Sequence, residues 1–162
     1  MMLAVVCGLP GVGKTTVAEN VADRVNGRLI RTDVVRKSIF DDPEYTDEET
    51  TMVYTEMLER AEAALRSGEN VVLDGTFHQT TFRERARALA DSLGTDFRVV
   101  KVECSTDVVE QRIRNRTDDA SDADFEVHLL YRDTFDPLSL DYVLVDNSRG
   151  LEETQSQLEQ HF

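Results

Sequence analysis

Lysine is scarce in this chain. Only Lys14, Lys37 and Lys101 are lysines among 162 residues, and every other basic side chain is arginine. Against 18 basic residues stand 32 acidic ones, a net charge of −14. That deficit leaves no broad basic face, so duplex DNA is disfavoured as a partner. An acidic, lysine-poor surface also stays hydrated in molar salt, where the Debye length shrinks to about 3 Å and self-repulsion is screened. A halophilic host is expected, an ordinary acidic protein being the alternative. Cysteine is equally sparse. Cys7 and Cys104 close apolar, strand-like runs and read as packed thiols in a reducing compartment. Two isolated cysteines and three scattered histidines offer no zinc-ligand spacing. No apolar stretch approaches the ~18 residues that span a bilayer, and no charged segment precedes the first apolar run as in a signal peptide. The expectation is a cytoplasmic protein without membrane association. Repeats, linkers and low-complexity segments are missing too, which points to a single domain over residues 1–162.

What is present is regular. Apolar runs at Leu3 to Cys7, Arg28 to Arg31, Asn70 to Leu73, Phe97 to Val102 and Tyr142 to Val145 read as five strands. Between them lie helical patterns over Thr15 to Val25, Asp47 to Arg66, Thr80 to Leu93, Thr106 to Arg116 and Phe125 to Phe135, with Leu151 to Leu158 last. Asn26-Gly27 and Ser67-Gly68 supply stops. Strands separated by helices imply crossover units, hence an α/β fold with a parallel, doubly wound sheet covered on both faces. Ligands in such sheets bind beyond the carboxyl ends of the strands.

The first of those ends carries Gly8-Leu9-Pro10-Gly11-Val12-Gly13-Lys14-Thr15-Thr16. The spacing Gly-x-x-x-x-Gly-Lys-Thr between a strand and a helix is the phosphate-binding P-loop. Glycines let backbone N–H groups converge on a phosphate, and the helix N-terminus adds its positive dipole. Lys14 is expected to bridge the β- and γ-phosphates of ATP, and the Thr15 hydroxyl to ligate Mg²⁺. The nucleotide-binding set is Gly8, Gly11, Val12, Gly13, Lys14, Thr15 and Thr16.

Three further features narrow the reaction. No Asn/Thr-Lys-x-Asp guanine motif follows late in the chain, which argues against a GTPase. The third strand ends Val71-Val72-Leu73-Asp74-Gly75 with no Glu after the aspartate, unlike mechanical ATPases; Asp74 still suits Mg²⁺ held through water. The second strand ends Thr32-Asp33-Val34-Val35-Arg36, which sets a carboxylate and a guanidinium one helical turn apart on the acceptor side. Asp33 can take the acceptor hydroxyl proton or cap the helix that follows. Arg112, Arg114 and Arg116 precede the polar run Thr117 to Asp122, suited to a closing lid over about residues 112–135. Arg132 is a second lid candidate. His78 reads either as a pocket lining or as a surface-loop residue, and His128 and His161 as solvated or partly packed.

Taken in order, the loop, Thr32-Asp33-x-x-Arg36-Lys37, Leu73-Asp74-Gly75-Thr76-Phe77 and Arg112-x-x-x-Arg116 resemble the small P-loop kinases of the AAA-family-ATPase, zeta toxin-like group. That group is similar to the 5′-hydroxyl kinase domain of polynucleotide kinase and, more distantly, to gluconate-type sugar kinases. The resemblance implies a base at Asp33, acceptor contact at Arg36 and a lid arginine at Arg116 reaching the transferring phosphoryl group. It also implies an adenine-side contact near Asn147-Ser148-Arg149-Gly150, with Arg112 as a nucleotide-binding residue.

The expected protein is thus an ATP- and Mg²⁺-dependent kinase with Lys14, Asp33 and Arg116 as catalytic residues, acting on a hydroxyl acceptor. That acceptor is a small molecule, a nucleoside or sugar, or a polynucleotide 5′-end, and the chain a monomer or dimer. A nucleoside monophosphate kinase and a non-transferring regulatory ATPase are the alternatives.

Overall fold

The structure, a computed structural model, describes residues 1–116 and 121–162, excluding the side chains of 116 and 121–124. Its centre is β1, Met2–Cys7, whose five residues after Met2 are all buried. A central parallel strand is covered on both faces, which is why this run lacks polar alternation. Five strands form one sheet in the order β2-β3-β1-β4-β5. The others are β2 (Gly27–Arg31), β3 (Asn70–Asp74), β4 (Asp96–Glu103) and β5 (Val143–Asp146). All four pairings are parallel, with Val6 opposite Asp74 and Arg31 opposite Asp74 in the register. The α/β, doubly wound expectation is what the chain adopts.

Period two along each strand divides the core into two layers. Leu3, Val5, Cys7, Val71 and Leu73 face one side. There α3 (Asp47–Arg66) lays down Val53, Tyr54, Met57, Ala61 and Leu65, and α4 (Thr80–Ser92) adds Phe82, Ala86 and Ala90. Ala4, Val6, Val72, Val100 and Val145 face the other. It is covered by Val17, Ala18 and Val21 of α1 (Lys14–Val25), Val109 and Ile113 of α5 (Thr106–Arg116) and Leu158 of α7 (Leu151–Glu159).

Local stops behave as the sequence reads. Asn26 closes α1 in the left-handed conformation at φ 50°, and Thr46 caps α3 by accepting from the Glu49 N–H. Several boundaries move by one residue, and two departures are larger. A short helix, α2 (Thr32–Ile39), starts at once after β2 with Arg31 at its cap position. The last long helix, α6 (Ser121–Thr134), begins four residues before Phe125, inside the polar run. No helix among the described residues is long and apolar enough to cross a membrane.

Candidate active site

The β1–α1 loop sits where the strands end. Gly8 has φ +150°, and a Cβ there would lie 2.5 Å from the Val102 carbonyl oxygen, so only glycine lets β1 leave the sheet beside β4. Gly13 caps α1 in the left-handed region, and a Cβ on it would collide with Asn147 Nδ2. Val12 buries its side chain in the core and turns its carbonyl to Asn147 Nδ2 at 2.8 Å. The Lys14 ammonium donates to the Leu9 carbonyl at 3.0 Å, folding back across the loop. Thr16 points outward.

Thr15 and Asp74, 59 residues apart, meet here: the Thr15 hydroxyl donates to Asp74 Oδ2 at 2.8 Å. Burial, its largest influence, raises the Asp74 carboxyl above the ordinary 3.8; the Thr15 hydrogen bond, Lys14 and Arg31 pull it back, and Asp33 adds to the rise. Asp33 is therefore close enough for its charge to be felt. It lies inside the first turn of α2, is exposed, and has no ion-pair partner among the described residues. The cap position belongs to Arg31, whose side chain makes no cap bond, so the alternative of Asp33 as a helix cap is not what the backbone provides.

Arg36 is committed elsewhere. Its Nη1 donates to Glu49 Oε1 at 2.6 Å, its Nη2 to the Thr50 hydroxyl at 3.3 Å, and Tyr45 covers its face at 4.6 Å from the ring centre. Arg112, on α5, donates to the Asn147 carbonyl at 2.7 Å, and its Nη1 would stand 3.8 Å from a Cβ on Gly13. It is thus beside the loop. The side chain of Arg116 lies outside the described residues. Arg114 pairs with Glu110 on its own helix, and Arg132 is exposed.

Four polar residues hold this site in place through contacts that the sequence does not show. Asn147, just after β5, spends all of its groups: Nδ2 to Val12, Oδ1 accepting from Thr154 at 2.7 Å, and its carbonyl accepting from Arg112. His128 of α6, expected to be solvated or partly packed, is buried, with Nδ1 2.6 Å from the Pro10 carbonyl oxygen. Arg83, 1% exposed, donates to the carbonyls of Phe77, His78, Asp136 and Pro137 and lies over Phe135. Phe77 has φ +47°, a conformation phenylalanine rarely adopts, and Tyr54 pins it by accepting its N–H at 2.9 Å. Arg31 is the fourth, at the Thr15–Asp74 pair. None of these contacts has a local sequence signal: Asn147 meets Val12, His128 meets Pro10 and Arg83 meets Asp136 far along the chain, and the nearer partners follow no helix or strand period.

His78 is half-buried between Phe82 and Tyr131, its Nδ1 lacks a hydrogen-bond partner, and burial holds its pKa below the ordinary value. Cys7 is a packed thiol; burial pushes it up to about 11.

A Thr hydroxyl bonded to a carboxylate at a P-loop is a hard-oxygen donor set that fits Mg²⁺, which needs few protein ligands because phosphate oxygens and water complete its shell. Among the described residues no group of three His, Cys, Asp or Glu could hold a metal alone. The arrangement therefore offers cation-assisted phosphate binding and a nearby exposed carboxylate.

Comparisons agree with this architecture. The family described as an AAA domain matches residues 3–138. An uncharacterized protein of Mycobacterium tuberculosis is 37% identical over 139 residues, covering 77% of this chain and 28% of its own length. The chain thus spans little more than a quarter of the curated mycobacterial relatives it matches. A gluconokinase from Sinorhizobium meliloti superimposes with a TM-score of 0.72 at 24% identity, covering 95% of this chain and 87% of the other. The APS kinase of Mycobacterium tuberculosis, solved with AMPPNP and APS, gives 0.72 at 15% identity over 98% and 94%. At these identities the likeness is one of fold.

Proposed function

The chain belongs to the AAA-domain family, and on that premise we propose that it is a Mg²⁺- and ATP-dependent kinase that phosphorylates a hydroxyl acceptor. One observation carries the reading. A complete P-loop has its threonine hydroxyl bonded to a strand-end carboxylate, while a second carboxylate, Asp33, stands exposed and unpaired at the neighbouring strand end. Phosphoryl transfer asks a protein for positioning, charge neutralisation and a proton acceptor, and these residues match the three needs.

In this reading the loop N–H groups and the α1 N-terminus bind the phosphates, and Lys14 leaves the Leu9 carbonyl to contact the β- and γ-oxygens. Thr15 and Asp74 would hold Mg²⁺, which would supply charge neutralisation at the phosphates. Asp33 takes the proton from the acceptor hydroxyl at Oδ. Arg112 and the Asn147 loop border the nucleotide, and the lid role expected of Arg116 falls on a side chain outside the described residues. Arg36 positions the α2–α3 connection beside the acceptor.

The nucleoside monophosphate kinase alternative is disfavoured, because an anionic acceptor needs arginines to hold it and the one expected there is neutralised by Glu49. Sugars and nucleosides, with polynucleotide 5′-ends, form the acceptor panel. ATP turnover measured with and without that panel tests the reading. One compound class should accelerate turnover and appear phosphorylated. Slow hydrolysis indifferent to every compound would make the protein a regulatory ATPase.

A further inference from the structure

No sequence motif explains the placement of Arg31. It ends β2 directly opposite Asp74 in the sheet register, on the face shared with α1. Its Nη2 donates to the Thr15 hydroxyl at 3.3 Å, and its Nε lies 3.4 Å from Asp74 Oδ2. The guanidinium therefore leans on the two side chains that suit a divalent cation.

The hold is loose. Nε is buried yet not aligned for a hydrogen bond, and the Arg31 side chain is 35% exposed. Arg83 and Arg36, by contrast, engage several acceptors each at distances down to 2.7 and 2.6 Å. Arg31 also lines an open groove of about 490 Å³ between β2, α2 and α3, floored by Ile30, Val35 and Ala64. A long side chain at an edge strand, weakly held and bordering open space, has a second place to go.

We infer that Arg31 is a positioning residue that competes with the divalent cation for Thr15 and Asp74. Its charge supports the buried Asp74 carboxylate until metal arrives together with nucleotide phosphates, and it then withdraws toward the groove. The consequence is ordered loading: metal alone binds poorly because it must displace a cation, whereas the metal–nucleotide complex brings phosphate oxygens that supply the missing ligands. This rests on the nucleotide-binding part of the reading above and not on transfer to any acceptor.

The test is Mg²⁺ alone, titrated by calorimetry into wild type, Arg31→Gln and Arg31→Lys, with circular dichroism confirming the fold. Removing one positive charge a few ångströms from the metal position should tighten Mg²⁺ binding to the Gln variant roughly tenfold or more. The Lys variant should stay near wild type. A residue that merely packs the strand end would leave both affinities alike, so Mg²⁺ affinities of wild type and Arg31→Gln within about twofold overturn the proposal. If Arg31→Gln does not fold, Arg31→Met replaces it under the same criterion. A parallel titration with Mg²⁺ and AMPPNP separates the failures. Wild type that binds no AMPPNP sinks the nucleotide reading, whereas equal affinities for Mg²⁺ alone sink only the role of Arg31.

Discussion

Arg36 and Glu49 form an ion pair at 2.6 Å with side chains only 10% and 7% exposed. Glu49 also accepts the backbone N–H groups of Glu44 and Tyr45, so one carboxylate organises the whole turn between α2 and α3. The guanidinium that the sequence places at an acceptor is thus fixed within the α2–α3 turn.

That pair has a pH signature. Burial works against the Glu49 charge, but the N–H of Glu44, the Arg36 guanidinium and the N–H of Tyr45 outweigh it and hold the carboxyl below its ordinary 4.5. A depressed carboxyl contributes stability above its unfolded pKa and loses it as pH falls through the folded value. Wild type should therefore lose melting temperature on acidification below about 4.5, more steeply than Glu49→Gln does. Parallel curves for the two proteins would show that the pair contributes nothing to folding.

Asp74 should behave in the opposite sense. Burial raises its carboxyl, so the folded chain binds that proton more tightly than the unfolded one, and the associated stability is present at low pH and lost as pH rises through the folded value. Asp74→Asn should melt higher than wild type at pH 7, and the gap should close below about pH 4. Its turnover should nevertheless fall by at least ~10²-fold, since the amide is a poor partner for a cation. A destabilised Asp74→Asn at pH 7 would mean that Thr15, Lys14 and Arg31 outweigh burial.

The sheet was legible because its strands are continuous apolar runs and its helices carry a 3.6-residue stripe; α3 and α5 match their sequence bounds, Asp47–Arg66 and Thr106–Arg116. Polar boundaries were less legible. The residues from Ser121 read as a connection yet begin α6. The P-loop and Asp74 were legible from spacing and strand position. Its supports were not: Asn147 reaches Val12 across 135 residues, and His128 reaches Pro10 across 118. A polar residue whose only signal is its tertiary partner looks solvated in a sequence.

Lys14→Ala should lower ATP turnover by at least ~10²-fold, the cost of one positioned electrostatic donor. The fold should survive, because Lys14 is half-buried and its ammonium donates to a loop carbonyl. Near-normal turnover in a folded variant would end the nucleotide reading.

Salt should stabilise the chain. At −14 the folded state carries a repulsion that tightens with compaction, and molar KCl shortens its range to about 3 Å. Melting temperature should climb between dilute buffer and molar KCl. A flat or falling curve would remove the argument for a halophilic host, since exposed pairs such as Arg66–Glu62 would then be the charges that salt acts on.

Asp33→Asn isolates the proton-transfer step. The side chain is exposed, has no ion-pair partner among the described residues and does not cap α2, so replacing one oxygen by an amide should leave the melting temperature unchanged. The amide preserves shape and loses basicity. Binding of Mg²⁺ and AMPPNP should persist, and should strengthen slightly, because removing one negative charge near Asp74 eases the approach of phosphate. Transfer to the true acceptor should fall by roughly 10² to 10⁴-fold, the range for a positioned general base. The acceptor's KM should change far less than kcat, because the lost interaction belongs to the transition state. Basal hydrolysis of ATP by water supplies the internal control: if it drops in step with transfer, Asp33 acts on the nucleotide and not on the acceptor. A transfer rate within about tenfold of wild type would remove Asp33 from the chemistry altogether.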